Sequence, residues 1–388
     1  MKRIISMALL GATTGLVAMQ GQEAFLYKDP RIMGMGGANV AVGSYSTAVF
    51  SNPAGLVNIK KDHGIVVELL GVKVDATAQI QDFANDISDA SDTGNQTDML
   101  NVLQKYNGEH FHIGVDNYSS VSKNSDLFAW SIGILAAEDA NFMTHAEGSA
   151  IGSSLETSSR VYGAIVLGAA KTYSTNIGRV DVGLGLKYVS QISYEGLVGI
   201  DVLTDDGDLV DKMRDTYEKK SSGFGVDLGV NYQPFPNNYW HPAIGLSVMN
   251  IGTLSLDDNY GGQPMTVNMG ISISPEVSYI DKLVVAADYV DMFGANKQRE
   301  YTSETGYIDH DTYDYLKKLR LGVGVGLFDN SWISTQVNLG LYQAAYTAGL
   351  DFQLTVLKLN FATYQEQIGV GSVDISDRRY MAQIGIGW

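Results

Sequence analysis

Two histidines and an aspartate on one predicted strand are the residues best suited to metal chemistry. His110, His112 and Asp116 share a face, because side chains alternate along a strand. Imidazole and carboxylate groups can bind a transition metal. At about 3.3 Å per residue, however, Asp116 lies about 20 Å along the strand from His110. The three groups cannot share one ion, and we expect no metal site.

Other segments that could form a cofactor, metal or catalytic site lack the residue spacing that such a site requires. The glycines at 34–37 lack the flanking strand and helix of a dinucleotide site, and residues 168–172 lack the Walker pattern. The acidic run at 205–208 misses the alternating ligands and later glutamate of a calcium loop. The sequence contains no nucleophile elbow. We therefore predict a protein that is not an enzyme and needs no cofactor.

Cations recur on predicted strand faces that are otherwise rich in glycine. Such faces suit a barrel interior, since Lys or Arg facing lipid at mid-depth costs about 2–4 kcal/mol. We hypothesise that three lumen cations bind the carboxylate of an anionic amphiphile: Lys187, Lys318 and Arg320. Strand direction places these cations in the extracellular half of the lumen and Asp116, Asp181 and Asp351 in the periplasmic half. The alternative is that lumen charges pair with one another or with the N-terminal segment.

The strands that carry these residues follow from a period of two in hydrophobicity. Fourteen segments fit this period: 63–78, 108–117, 126–136, 158–171, 178–192, 221–233, 241–250, 265–274, 282–291, 315–328, 332–342, 344–353, 355–365 and 378–388. Their apolar side chains alternate with Gly, Asn and Gln, which predicts a lipid-facing exterior around a crowded interior. Long and short connections alternate, as in single-chain bacterial barrels, and we expect the long ones to be extracellular.

The last predicted strand ends the chain on an aromatic residue. Four of its apolar side chains share one face: Tyr380, Ile384, Ile386 and Trp388. This ending is similar to the signal that the barrel-assembly machinery of Gram-negative bacteria reads.

Two long connections contain apolar residues at helical spacing. Residues 80–106 and residues 209–220 are predicted to form amphipathic helices at the cell surface. Their apolar faces would either capture a hydrophobic ligand or pack on neighbouring loops.

The N-terminus indicates export and a separate segment. Lys2 and Arg3 precede an apolar stretch, so residues 1–21 read as a cleaved signal peptide with an uncertain cleavage site. Residues 22–62, rich in Gly and small residues, are too irregular for a spanning strand and are predicted to fold into the lumen as a plug. Residues 63–388 would form the barrel. A net charge of −17 argues against nucleic acid as a partner, because the phosphates would be repelled.

The plug sequence carries a family resemblance. Residues 31–41 and the run Asn52, Pro53, Ala54 and Gly55 resemble the FadL family of outer-membrane transporters for long-chain fatty acids and aromatic hydrocarbons. The resemblance implies fourteen strands and an N-terminal hatch with an Asn-Pro-Ala motif. The same pattern is similar to TraF-like and PorV-like relatives, some of which serve conjugation or protein secretion.

The sequence thus predicts an all-β, transmembrane antiparallel barrel of about fourteen strands with an N-terminal plug, in the outer membrane of a Gram-negative bacterium. The predicted function is passive transport of small hydrophobic or amphipathic molecules such as long-chain fatty acids. The alternative is a structural or interaction component of a conjugation or secretion assembly. The expected partners are outer-membrane lipid and lipopolysaccharide, the barrel-assembly machinery and a hydrophobic small molecule.

Overall fold

The computed structural model describes residues 25–61, 64–145, 154–204, 215–256, 260–302, 306–311, 314–330, 332–368 and 376–388. The predicted signal peptide, 1–21, lies outside the described residues. The strands are β1 (Ile65–Thr77), β2 (His110–Asn124), β3 (Ala129–His145), β4 (Ser154–Thr175), β5 (Gly178–Gly199), β6 (Lys219–Gln233), β7 (Ala243–Gly252), β8 (Thr266–Ile273), β9 (Lys282–Tyr289), β10 (Lys297–Thr302), β11 (Gly306–Asp311), β12 (Leu319–Asp329), β13 (Ile333–Tyr342), β14 (Ala345–Leu354), β15 (Leu357–Gln367) and β16 (Ser376–Gly387).

In the described part of the chain, fourteen of these strands close into one antiparallel barrel. The order around the wall is β1-β16-β15-β14-β13-β12-β9-β8-β7-β6-β5-β4-β3-β2. The first strand pairs with the last, for example Val72 with Ile384. The predicted fold is confirmed, and each of the fourteen predicted segments overlaps one barrel strand. We call the end that carries the long connections the extracellular end.

Side chains alternate across the barrel wall. On β5, Val182, Leu184 and Leu186 are exposed on the outer face, whereas Asp181 and Lys187 are buried on the inner face. An apolar exterior with charges turned inward is the arrangement that a lipid environment requires.

The strands on one side of the barrel are longer than predicted. β4 begins at Ser154 rather than at 158, and β5 continues to Gly199 rather than ending at 192. Both faces of these extensions are largely buried, and the β4 extension contains buried polar side chains such as Glu156 and Thr157. The period of two is therefore absent there, and the sequence pattern could not extend the strands.

A hairpin stands where the sequence predicts a loop at 292–314. Among the described strands, β10 and β11 pair only with each other. Their ladder runs from the pair Lys297 and Asp311 to the pair Thr302 and Gly306. Their charged sequence does not alternate in hydrophobicity, so the pattern gave no strand signal.

Two helices in the first long connection confirm the prediction for residues 80–106. They span Ile80–Thr93 and Gln96–Lys105. Phe83 stacks on Phe111 of β2 with ring centroids 4.2 Å apart, and Met99 and Leu103 are buried in the same cluster. Their apolar faces therefore pack on neighbouring elements.

The second predicted surface helix fares differently. Residues 205–214 lie outside the described part of the chain, so the first half of the predicted helix over 209–220 is untested, whereas residues 215–217 are helical. Its last two residues were assigned wrongly, because Lys219 and Lys220 pair with Ser193 and Ile192 of β5 as the start of β6.

No helix among the described residues is long and apolar enough to cross a membrane.

The N-terminal segment, residues 25–61, lies against the inner wall of the barrel. It contains a short α-helix (Pro30–Gly34) and two 3-10 helices (Ser46–Phe50 and Pro53–Asn58). The first helix contacts β13, β14 and β15, and the last contacts β4, β5 and β6 on the other side. The wall carries glycine where the segment touches it: a Cβ added at Gly183 would lie 2.2 Å from the amide nitrogen of Ala54.

Candidate functional site

The Asn-Pro-Ala-Gly run forms a tight turn seated on the wall. Asn52 caps the following 3-10 helix by accepting a hydrogen bond from the Ala54 amide at 3.0 Å, and its Nδ2 donates to the Val40 carbonyl at 2.7 Å. Pro53 begins that helix, and Gly55 packs directly on Gly43. These contacts fix the path of the segment, while its role as a plug motif stays a prediction.

An ion network joins the segment to two strands of the wall. The Arg31 guanidinium lies 2.7 Å from the Asp29 carboxylate and 3.0 Å from that of Glu68 on β1. Glu68 also accepts from Lys358 Nζ of β15 at 2.9 Å. Removing one partner from such a buried network leaves an uncompensated charge, which costs about 3–5 kcal/mol. The network therefore holds the segment beside β1.

Lys187 is held by the protein itself. Its ammonium lies 3.0 Å from the Asp227 carboxylate, donates to Asn250, and is almost completely buried. The sequence offered two interpretations of the lumen cations, ligand binding and pairing with other lumen charges, and the Lys187–Asp227 contact is an example of the second. A ligand role for Lys187 stays a prediction, and it would require this ion pair to break.

The other two predicted cations lie elsewhere on the wall. Lys318 directly precedes β12 and donates to the Asp291 carbonyl at 3.0 Å. The Arg320 guanidinium stacks 3.8 Å above the Tyr342 ring. β6, β7, β8 and β9 separate β12 from the β5 strand of Lys187, so the wall does not bring the three cations to one place.

The three lumen aspartates are also engaged. Asp116 forms an ion pair with Lys73 at 2.7 Å, Asp181 accepts from Arg179 at 2.9 Å, and Asp351 accepts from Asn338 at 2.7 Å. The predicted depth of Asp116 is wrong. β2 continues to Asn124, so Asp116 lies near the middle of the strand rather than close to its periplasmic end.

The two histidines take separate partners. His110 Nδ1 lies 3.2 Å from the Asp377 carboxylate, and His112 Nδ1 lies 2.8 Å from the Asn141 side-chain oxygen. Among the described residues, no group of three or more His, Asp or Glu side chains could hold a metal ion.

Three small cavities surround the start of the N-terminal segment. The polar cavity has about 40 Å³ and is lined by Lys28, Lys73, Asp75, His112, Asp116 and Arg160 among others. The apolar cavity has about 40 Å³ and is lined chiefly by Phe25, Ile32, Met33, Phe50, Arg320 and Tyr342. The wall cavity has about 20 Å³ and includes Tyr27, Glu68, Leu69, Gly71, Gln383 and Ile386.

The wall cavity lies at an irregularity in β1. The register shifts between Leu69 and Val72 against β16 and between Glu68 and Gly71 against β2. Leu70 has a left-handed backbone with φ 51°, and both Leu69 and Leu70 are exposed on the outer face. A bulge of this kind locally disrupts the ladder. The cavity therefore has lumen residues on one side and lipid-facing residues on the other.

The β10–β11 hairpin reaches across the extracellular mouth. The Arg299 guanidinium lies 2.9 Å from Glu195 on the β5 extension, and Gln298 Nε2 donates to the Gln367 carbonyl at the end of β15 at 3.0 Å. β5 and β15 stand on nearly opposite sides of the ring. A hairpin that contacts both must lie over the mouth.

This barrel can now be compared with known proteins. A family model described as "F plasmid transfer operon, TraF, protein" matches residues 49–339, most of the barrel and the end of the N-terminal segment. The chain belongs to the TraF family. No curated protein sequence matches it.

Solved structures share the fold of this TraF-family barrel. The Pseudomonas putida toluene transporter TodX is 12% identical with a TM-score of 0.52, covering 94% of this chain and 99% of that one. The Ralstonia pickettii toluene transporter TbuX is 15% identical with a TM-score of 0.51, and the match covers 93% of this chain and 98% of TbuX. The resemblance to FadL-type barrels and their TraF-like relatives is thereby confirmed at the level of fold.

The sequence interpretation overlooked several residues around the cavities. Tyr27 and Lys28 precede the recognised motif, and Asp75 lies on β1, yet they meet inside the lumen. Alternation along β1 places Lys73 and Asp75 on the inner face, and this alternation is the one sequence signal that could have identified them as lumen residues. Their contact with residues 25–28 depends on the path of the N-terminal segment, which spacing does not give.

Proposed function

We propose that this TraF-family barrel resides in the outer membrane of a Gram-negative bacterium and passively conducts small hydrophobic or amphipathic molecules. One observation carries the proposal: Tyr27 and Thr47 line both the apolar cavity and the wall cavity. A ligand held in the apolar cavity is thus separated by two side chains from a gap that borders lipid-facing Leu69. Such a molecule would leave through the β1 irregularity into the membrane.

The cavity sizes indicate a closed conformation. Sites for small ligands have about 300–1,000 Å³, whereas each cavity here has room for a few water molecules at most. Conduction therefore requires residues 25–28 to move away from the wall. The similarity to toluene transporters supports the choice of hydrophobic substrates, and long-chain fatty acids are one class within it.

A second candidate is a structural component of a conjugation or secretion assembly. The family description and the network of Asp29, Arg31, Glu68 and Lys358 favour this reading, because a lumen fixed by buried ion pairs serves a rigid scaffold. Lipopolysaccharide and the barrel-assembly machinery remain proposed partners in either case.

Uptake of a radiolabelled aromatic hydrocarbon by cells with and without the barrel tests the proposal. We expect the barrel to raise uptake, and Tyr27→Ala to raise it several-fold further, because this change removes the ring between the two cavities. Tyr364→Ala is the matched control, since the same ring is lost from the polar cavity alone. Equal uptake with and without the barrel would favour the assembly role.

A further inference from the structure

The polar cavity contains hydrogen-bond acceptors that the protein leaves unused. Asp75 Oδ1 and Asp116 Oδ1 accept no hydrogen bond from the protein, although both residues are more than nine-tenths buried. Their other oxygens are engaged: Asp75 Oδ2 accepts from Tyr364 at 2.7 Å, and Asp116 Oδ2 pairs with Lys73. Buried acceptors without donors are costly, so this cavity favours a group that supplies N–H or O–H.

The two carboxylates are close enough to share one small group. Asp75 is paired across the ladder with Gly114, and Asp116 follows Gly114 by two residues on the same inner face. Diagonal neighbours of this kind have Cα atoms about 7–8 Å apart. Gly114 lines the cavity between them and contributes no side chain to fill it.

The charges of the cavity favour a cation. Four lining cations already have carboxylate partners: Lys28 with Glu366, Lys73 with Asp116, Arg160 with Asp139, and Arg379 with Asp377. Asp75 is left with a phenol and the imidazole of His112 as its neighbours. An anionic head group would have to displace one of the four ion pairs, whereas a cation would meet a carboxylate that lacks a Lys or Arg partner.

We propose that the polar cavity binds the ammonium head group of an amphiphile whose tail enters the apolar cavity when residues 25–28 move away from the wall. An ammonium supplies three donors and no acceptor, which matches two unused carboxylate oxygens. Phe25, Tyr27 and Lys28 line both cavities, so head and tail are separated only by this stretch of chain. The proposal rests on the proposed transport function and names its substrate class.

Calorimetry tests the ammonium site by measuring how tightly three twelve-carbon amphiphiles bind to the full barrel in lipid nanodiscs. We expect dodecylammonium to bind at least tenfold more tightly than dodecyltrimethylammonium, which has the same charge but no N–H, and than laurate. Asp75→Asn should remove most of this preference. Asp181→Asn should leave it unchanged, because Asp181 is equally buried but lies outside the cavity.

Binding of a neutral probe, diphenylhexatriene, is measured in parallel. This measurement distinguishes failure of the ammonium site from failure of the proposed transport function. If the neutral probe binds but laurate equals or exceeds dodecylammonium, the ammonium site is overturned and the transport function stands. If neither the probe nor any amphiphile binds, both proposals fail.

Discussion

Phe25, Tyr27 and Lys28 line both the polar and the apolar cavity, yet the two cavities are built from different chemistry. Paired charges from β1, β2, β3, β4 and β16 surround the polar cavity, whereas the apolar cavity is lined mainly by aromatic and aliphatic side chains together with the charged Lys28, Asp29 and Arg320. Under the proposed transport function, this short stretch of the N-terminal segment is the barrier to passage. Four experiments test the parts of the protein that hold this stretch in place or lie around it.

Loss of the Arg31 network should remove the barrier most completely. Arg31→Ala leaves Asp29 without its cation and Glu68 with Lys358 alone, and losing one partner from such a network costs about 3–5 kcal/mol of the segment's attachment. We expect a cysteine at Ala48, which is fully buried in the wild type, to react with maleimide at least a hundredfold faster.

A matched control is Arg378→Ala, since Arg378 stacks on Tyr346 at the outer face and has no contact with the segment. An unchanged labelling rate in Arg31→Ala would contradict the holding role of the network.

Release of the β10–β11 hairpin should open the mouth above both cavities. Arg299→Ala removes the contact with Glu195, and a hydrogen bond to a charged group contributes about 1.5–3 kcal/mol. Spin labels at Ile308, which is exposed on the hairpin, and at Gln367 should give a broader distance distribution in this variant. Lys297→Ala is the control, because Lys297 pairs within the hairpin. Identical distributions would show that Arg299 does not position the hairpin.

Neutralising Lys318 and Arg320 together tests whether the apolar cavity selects anions. Arg320 lines that cavity, and Lys318 contacts the base of the hairpin through Asp291. If these cations receive a carboxylate, uptake of a fatty acid should fall about fivefold, close to 1 kcal/mol, while uptake of a neutral hydrocarbon changes less. Equal effects on the uptake of both substrates would contradict the hypothesis that these cations bind an anionic ligand.

The smallest expected effect concerns pH and the surface helices. Hydrogen bonds from Lys105 and then Tyr106 lower the pKa of Asp86 below its usual value. A lowered pKa means that the contribution to stability is present above pH 4 and is lost as pH falls further. Because about a third of the Asp86 side chain is exposed to solvent, which screens its interactions, we expect an effect of less than about 1 kcal/mol.

Hydrogen-exchange protection of residues 80–105 between pH 6 and pH 3 measures this effect. Asp86→Asn should flatten the pH dependence, while Asp89→Asn, a change at an exposed position of the same helix, should leave it intact. The same profile in all three proteins would rule out the Asp86 contribution.

The barrel was predictable from sequence because each of its strands has lipid on one face over much of its length. Val182, Leu184 and Leu186 alternate with Asp181 and the glycines of β5, and this period is local information. The extensions of β4 and β5 and the β10–β11 hairpin lack a lipid-facing side, so no such period exists there.

The candidate site was less predictable because its contacts join distant parts of the chain. Lys28 meets Glu366, and the Gln383 side chain donates to the Tyr27 hydroxyl. Spacing along a strand identifies an inward charge but does not identify its partner. The spacing on β5 identifies Lys187 as an inward cation, for example, but does not identify Asp227 as its partner.

Movement of residues 25–28 is the central claim, and a reversible cross-link tests it most directly. The chain has no cysteine, so Lys28→Cys with Glu366→Cys can be joined by a short bis-methanethiosulfonate reagent across the site of their ion pair. We predict that the cross-linked barrel loses hydrocarbon uptake and that a reductant restores it. Uptake that continues undiminished in the cross-linked barrel would contradict the account.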